Sequence, residues 1–270
     1  MNRLLRISLV LVGLISMLLT AGQAEEVPDV PLAAPKAIIK ITPPPADMKP
    51  KISRGRAIEL AGRYSGFELG KNVKAELVLY SDTELYHDAE RIEFPYREPT
   101  LTWLVYLPDA SFKRERYKAR PEVVRCPLHV GIHANTGMLL GAYGDSREKW
   151  TRGPDGASDG YSGLSFCEPD QPPKLTVRHI LESYAYRTST TGQFFIRYVT
   201  ITSANPVRVA TEKDPETHRP PYRGWFYLQR GVLNRGFSVP LGYKGPPLYN
   251  TNSEDFMNDD TGKPMGGGTW

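Results

Sequence analysis

The stretch 123–143, VVRCPLHVGIHANTGMLLGAY, constrains the fold more than any other part of the chain. Val130 and Ile132 alternate with His129, Gly131 and His133, the two-residue period of a strand with one buried face. Ala134-Asn135-Thr136-Gly137 then breaks the alternation. Asn and Gly both suit turns, and Gly takes the left-handed backbone position that closes a type I turn with a bulge. Met138, Leu139 and Leu140 carry the chain back out, so the segment predicts an antiparallel hairpin.

Not all 270 residues belong to that folded unit. Residues 1–24 place Arg3 and Arg6 before an apolar run, Ile7 to Leu19, and end in small residues, the layout of a secretory signal peptide. The run has 13 positions, which is short for a membrane span. An uncleaved N-terminal anchor is the alternative. Cleavage would remove Arg3 and Arg6 and no acid, lowering the net charge from +4 to about +2. Such a weak balance gives no reason to expect a nucleic-acid partner. The expected location is secreted or periplasmic, with no transmembrane span in the mature chain.

In an exported chain the two cysteines, Cys126 and Cys167, are expected to pair. In the chain-entropy view, closing that loop would stabilise by roughly 4 kcal/mol. Two buried free thiols are the alternative.

Residues 25–51 carry seven prolines and read as an extended linker. Next comes the clearest helix, 52–64. Ser53 suits its N-cap, Ala57, Leu60, Ala61 and Tyr64 form one apolar stripe, and Gly62 and Gly66 help to end it. Strands are expected at 73–80, 100–107, 193–202 and 224–230, where aromatic and β-branched residues are dense. Residues 144–174 form a Gly/Pro-rich loop, 175–241 a second strand-rich half opening on a helix or strand at 175–186, and 242–270 a disordered tail.

Residues 52–143 resemble a PepSY domain. The likeness rests on the short helix with Ala57 and Ala61, the strand Trp103-Leu104-Val105-Tyr106, and the hairpin from Val130 to Leu139. His133 stands where that family usually has Asp, and Met138 where it usually has an acid. The resemblance implies an α+β module of secreted or membrane-attached proteins that inhibits or chaperones a partner enzyme and carries no catalytic residues.

Several constellations invite chemistry and have plainer readings. His129 and His133 would meet at one metal ion on a helix. On a strand they stand about 13 Å apart, so solvent-facing strand positions are expected and no metal site is assigned. Asp145, Asp155, Asp159 and Asp170 lack the rhythm of a calcium loop. Gly160-Tyr161-Ser162-Gly163 misplaces the second glycine of a nucleophile elbow. Lys113, Arg114, Arg116, Lys118 and Arg120 read as a solvated loop or as a contact for an acidic partner. Trp225 and Tyr227 stand among many aromatics that either fill a core or form a platform for sugars or peptides.

The sequence thus predicts an α+β fold, an antiparallel sheet with one or two helices packed on a face and a PepSY-like first half. The expected function is a secreted, non-catalytic binding or inhibitory module. It would contact a partner protein or envelope component through a sheet edge or the loop 144–174. Candidate binding residues are Trp225, Tyr227, Arg114 and Arg116, with no catalytic residue and no cofactor assigned. The alternatives are a secreted hydrolase using acids from 144–174, or a carbohydrate- or envelope-binding structural protein.

Overall fold

In the computed structural model, Ser53 caps the first helix, α1 (Arg54–Ser65): its side chain accepts the Arg56 N–H at 3.2 Å. Gly66 ends it at φ 72, a left-handed position that glycine adopts without steric cost, and donates its N–H to the Gly62 carbonyl at 3.0 Å. Ala57, Leu60, Ala61 and Tyr64 are the buried stripe, as their spacing requires. The structure describes residues 39–82, 85–87, 90–92, 95–96, 98–114, 122–144, 165–184, 194–203, 221–235 and 249–269. All of them belong to the unit Ala33–Trp270.

The strands in chain order are β1 (Ile39–Thr42), β2 (Lys74–Asp82), β3 (Leu85–His87), β4 (Glu90–Ile92), β5 (Thr100–Leu107), β6 (Ser111–Arg114) and β7 (Glu122–Arg125). They continue as β8 (Leu128–His133), β9 (Leu139–Gly144), β10 (Ser165–Cys167), β11 (Phe194–Ser203), β12 (Tyr222–Arg235), β13 (Tyr249–Asn258) and β14 (Pro264–Thr269). A second helix, α2 (Val177–Ser183), takes Thr176 as its N-cap, so the helix-or-strand segment expected at 175–186 is helix over its described part.

One ten-stranded antiparallel sheet organises the unit in the order β1-β2-β5-β8-β9-β11-β12-β13-β14, with β10 also on β11. The order follows the chain, and the β3–β4 and β6–β7 hairpins are excursions from it. β9 and β10 share one edge of β11: β9 pairs at Phe195–Arg197 and β10 at Thr200–Ser203. Segments 52–143 and 175–241 therefore contribute neighbouring strands to one sheet.

Three expectations are corrected here. The fold is mostly antiparallel sheet, with only two short helices among the described residues, and is not α+β. The sequence reading undercounted strands because β13, YNTNSEDFMN, and β14, PMGGGT, lack apolar alternation. For the same reason residues 249–269 of the expected disordered tail 242–270 instead form two strands and their turn, which bury Phe256, Met257 and Met265. The Cys126–Cys167 disulfide is not formed. Cys126 is buried in the core and Cys167 stands exposed at the end of β10.

The sheet curls. Arg197 of β11 holds its guanidinium carbon 4.7 Å from the ring centre of Tyr80 on β2. Four inter-strand steps separate those strands, about 19 Å in a flat sheet at the usual spacing and beyond the combined lateral reach of the two side chains. The face bearing Arg197 is therefore the inner, concave one. The outer face carries α1 and α2: Trp103 donates its indole N–H to the Ile52 carbonyl at 3.1 Å, and Tyr184 stacks on Tyr227 at 5.3 Å.

The predicted hairpin is β8–β9. It bulges at Leu140–Gly141, and a Cβ on Gly141 would run into the backbone carbonyl of Ile196, so this strand crossing requires glycine. Its turn rests on α1: Gly137, at φ 76, leaves just enough room for Leu60. The Ala134 carbonyl accepts the N–H groups of Lys51 and Ile52 at 3.1 and 3.0 Å.

Candidate functional site

Strand register sets Tyr106 of β5, His129 of β8 and Tyr143 of β9 side by side on the inner face. Their rings form a continuous stack, with centroids 4.8 Å apart between Tyr106 and His129 and 4.9 Å between His129 and Tyr143. All three are only partly buried. Such stacking across neighbouring strands stabilises a sheet modestly and keeps the rings in fixed positions. Lys74 and Glu76, both exposed, occupy the same face on β2, opposite Tyr106 and Leu104. The ladder thus has an aromatic centre and a charged margin.

Deeper on the same face the surroundings close. Phe195 lies in register with Tyr143, and two residues on Arg197 is 1% exposed. Its guanidinium lies over Tyr80 at 4.7 Å, Tyr96 at 5.0 Å and Phe195 at 5.5 Å. Desolvated cation–π contacts of this kind are among the stronger ones, and they hold a charge that burial would otherwise penalise. Val78, Leu104 and Leu140 pack with Tyr80 and Tyr96 as the apolar floor.

Trp225 and Tyr227, the sequence-predicted platform, point to the outer face and are both 0% exposed. Each polar end has a fixed partner. Trp225 donates its indole N–H to Asp259 Oδ1 at 2.7 Å, and the Tyr227 hydroxyl bonds to Gln229 Oε1 at 3.0 Å. Neither ring offers a face to a ligand. Asp259, itself buried, also accepts the Lys174 and Leu175 N–H groups at 2.9 and 3.0 Å and the Tyr198 hydroxyl at 3.4 Å. Burial, then the Asp259 charge, pushes the Tyr198 phenol up. Next to it, Lys174 at 2.7 Å and Arg223 at 2.6 Å hold the Asp260 carboxyl below the usual carboxylate range, against the opposing pull of burial. This cluster ties the approach to α2 onto the β13–β14 turn.

Arg114 is the last residue of β6, in register with Glu122, and Arg116 lies outside the described residues. Asp145, Asp155 and Asp159 also lie outside the described residues, and Asp170 is exposed. Burial pushes the Cys126 thiol up to about 12, so it is inert as a nucleophile near neutrality. Among the described residues, no group of three or more His, Cys, Asp or Glu side chains is placed to hold a metal ion. Nor is any helix there long and apolar enough to cross a membrane.

Sequence reasoning missed Tyr106, Tyr143 and Arg197. The signal for Arg197 was a single charge inside the apolar strand FFIRYVTITS. That for the two tyrosines was their place in phase with His129, which becomes visible only once the strand register is known. Comparisons with protein-family models, with curated proteins and with solved structures find no match.

Proposed function

We propose that this chain is a non-catalytic binding module of the cell envelope or its exterior. It engages a partner protein or envelope polymer through the inner sheet face at Tyr106, His129 and Tyr143. The observation that carries this reading is the ladder itself: three stacked rings left partly accessible, with charged residues at the margin. That is the composition of a recognition surface, where aromatic anchors supply contact area at small entropic cost and a polar rim surrounds them. The envelope location rests on the signal peptide expected at residues 1–24, which lie outside the described residues. The PepSY resemblance belongs to the same proposal, supported by the packing of α1 on the β8–β9 turn.

The test is capture from envelope extract with the wild-type chain and with Tyr106→Ser/Tyr143→Ser, each checked by circular dichroism for an intact sheet. A partner held by the wild type and weakened about tenfold or more in the variant is the expected result. Equal capture by a folded variant would remove the ladder from the interaction.

A further inference from the structure

The β8–β9 turn is closed by an imidazole used as a hydrogen-bond acceptor. His133 Nδ1 accepts the backbone N–H of Asn135 at 3.1 Å and of Thr136 at 3.4 Å. The arrangement copies an Asx-turn, in which a side-chain oxygen two residues back performs the same task. An imidazole can do so only with its Nδ1 lone pair free, that is, in the neutral form carrying its proton on Nε2. The turn closed in this way is the seat of α1. The carbonyl of the next residue, Ala134, holds the N–H groups of Lys51 and Ile52, and the Ile52 carbonyl in turn receives the Trp103 indole N–H. A chain of hydrogen bonds therefore runs from the imidazole to the start of the helix.

We propose that His133 is a proton-operated clasp. With Nδ1 bare it closes the turn against the start of α1, and a proton on Nδ1 removes the acceptor and loosens both. The groups around it limit what else contributes. Opposite on β5 stands uncharged Thr102, and uncharged Met138, entering β9, accepts the His133 N–H at 2.8 Å through its carbonyl. Among the described residues the charge acting on the ring is Glu168, just past β10, while Lys51, ahead of α1, reaches the turn through its backbone N–H. Burial is the largest influence and lowers the affinity of the ring for a proton, while Glu168 and the ring's own backbone hydrogen bond raise it. The net effect is a folded value below the ordinary 6.5. The clasp is therefore closed at neutral pH. Its contribution to stability is complete above 6.5 and is lost as pH falls from there toward the folded value, because the unfolded chain takes up the proton first. The clasp works whether or not a partner occupies the ladder.

Two measurements on the full chain test it. The first is amide exchange over 134–138 and 51–54, corrected for intrinsic rates, at about pH 7.5 and about pH 5, on either side of the ordinary histidine range. The wild type should open roughly two- to tenfold more at the acid value, the factor a lost weak hydrogen bond carries. His133→Asn, which keeps an acceptor but no titrating group, should show equal opening at both. Equal opening of the wild type at the two values, or the same acid increase in His133→Asn, would overturn the proposal. The second needs no variant: ¹⁵N shifts of the His133 ring should report bare Nδ1 at neutral pH and its protonation below 6.5. A ring carrying its neutral-pH proton on Nδ1 would equally overturn it.

Discussion

Both faces of the sheet are rich in aromatic side chains, yet the two sets are treated differently. On the outer face Trp225, Tyr198, Tyr184 and Tyr227 are buried, and each polar end has its own partner. Tyr184, for example, donates to the Phe256 carbonyl at 3.0 Å. Those rings are struts, placed where α2 and the approach to it cover the sheet. On the inner face Tyr106, His129 and Tyr143 stack on one another and remain partly accessible. An aromatic run is therefore a poor indicator of a binding platform by itself. Whether a ring is fully covered within the fold or keeps part of its surface accessible separates a strut from a recognition surface.

That contrast can be broken at three places. The largest effect is expected for Trp225→Ala. It empties a fully buried site and deprives buried Asp259 of a donor, so chemical denaturation should show a loss of about 3–5 kcal/mol. A loss near 1 kcal/mol would mean that the outer face is not the structural one. Next is Gly141→Ala. Its new methyl would meet the Ile196 carbonyl and push β9 from β11, costing about 1–3 kcal/mol by the same measurement. Amide exchange should rise along Phe195–Arg197, and an unchanged sheet there would show that the crossing tolerates a side chain. The smallest stability effect is expected for Tyr143→Ala, about 0.5–1.5 kcal/mol, since it ends a stack that water already reaches. A cost as large as that of Trp225→Ala would make the ladder a second set of struts.

Local features were the most legible in the sequence. Ser53, the Ala57–Tyr64 stripe and Gly66 define α1 in both readings, and His129–Tyr143 folds back as its alternation and turn residues require. Strands with apolar alternation were found in place, whereas β13 and β14 were not. Most of their residues are polar or glycine and the few apolar ones do not alternate, and they join the sheet because β12 offers a long edge to pair with. The disulfide expectation failed for a related reason. Cysteine number and compartment do not say where the fold places the two side chains, and here one thiol enters the core and the other faces solvent.

By itself the sequence determined what nearest neighbours along the chain decide: capped helix ends, the hairpin turn, the glycine where the backbone turns left-handed, and, in the strands that alternate, which residues share a face. Only the tertiary structure decided which face is covered and which strands meet. Burial of Arg197 against Tyr80 depends on a curl accumulated over four inter-strand steps. No stretch of sequence encodes such a curl locally, because it is the sum of strand twist and of what packs on either side.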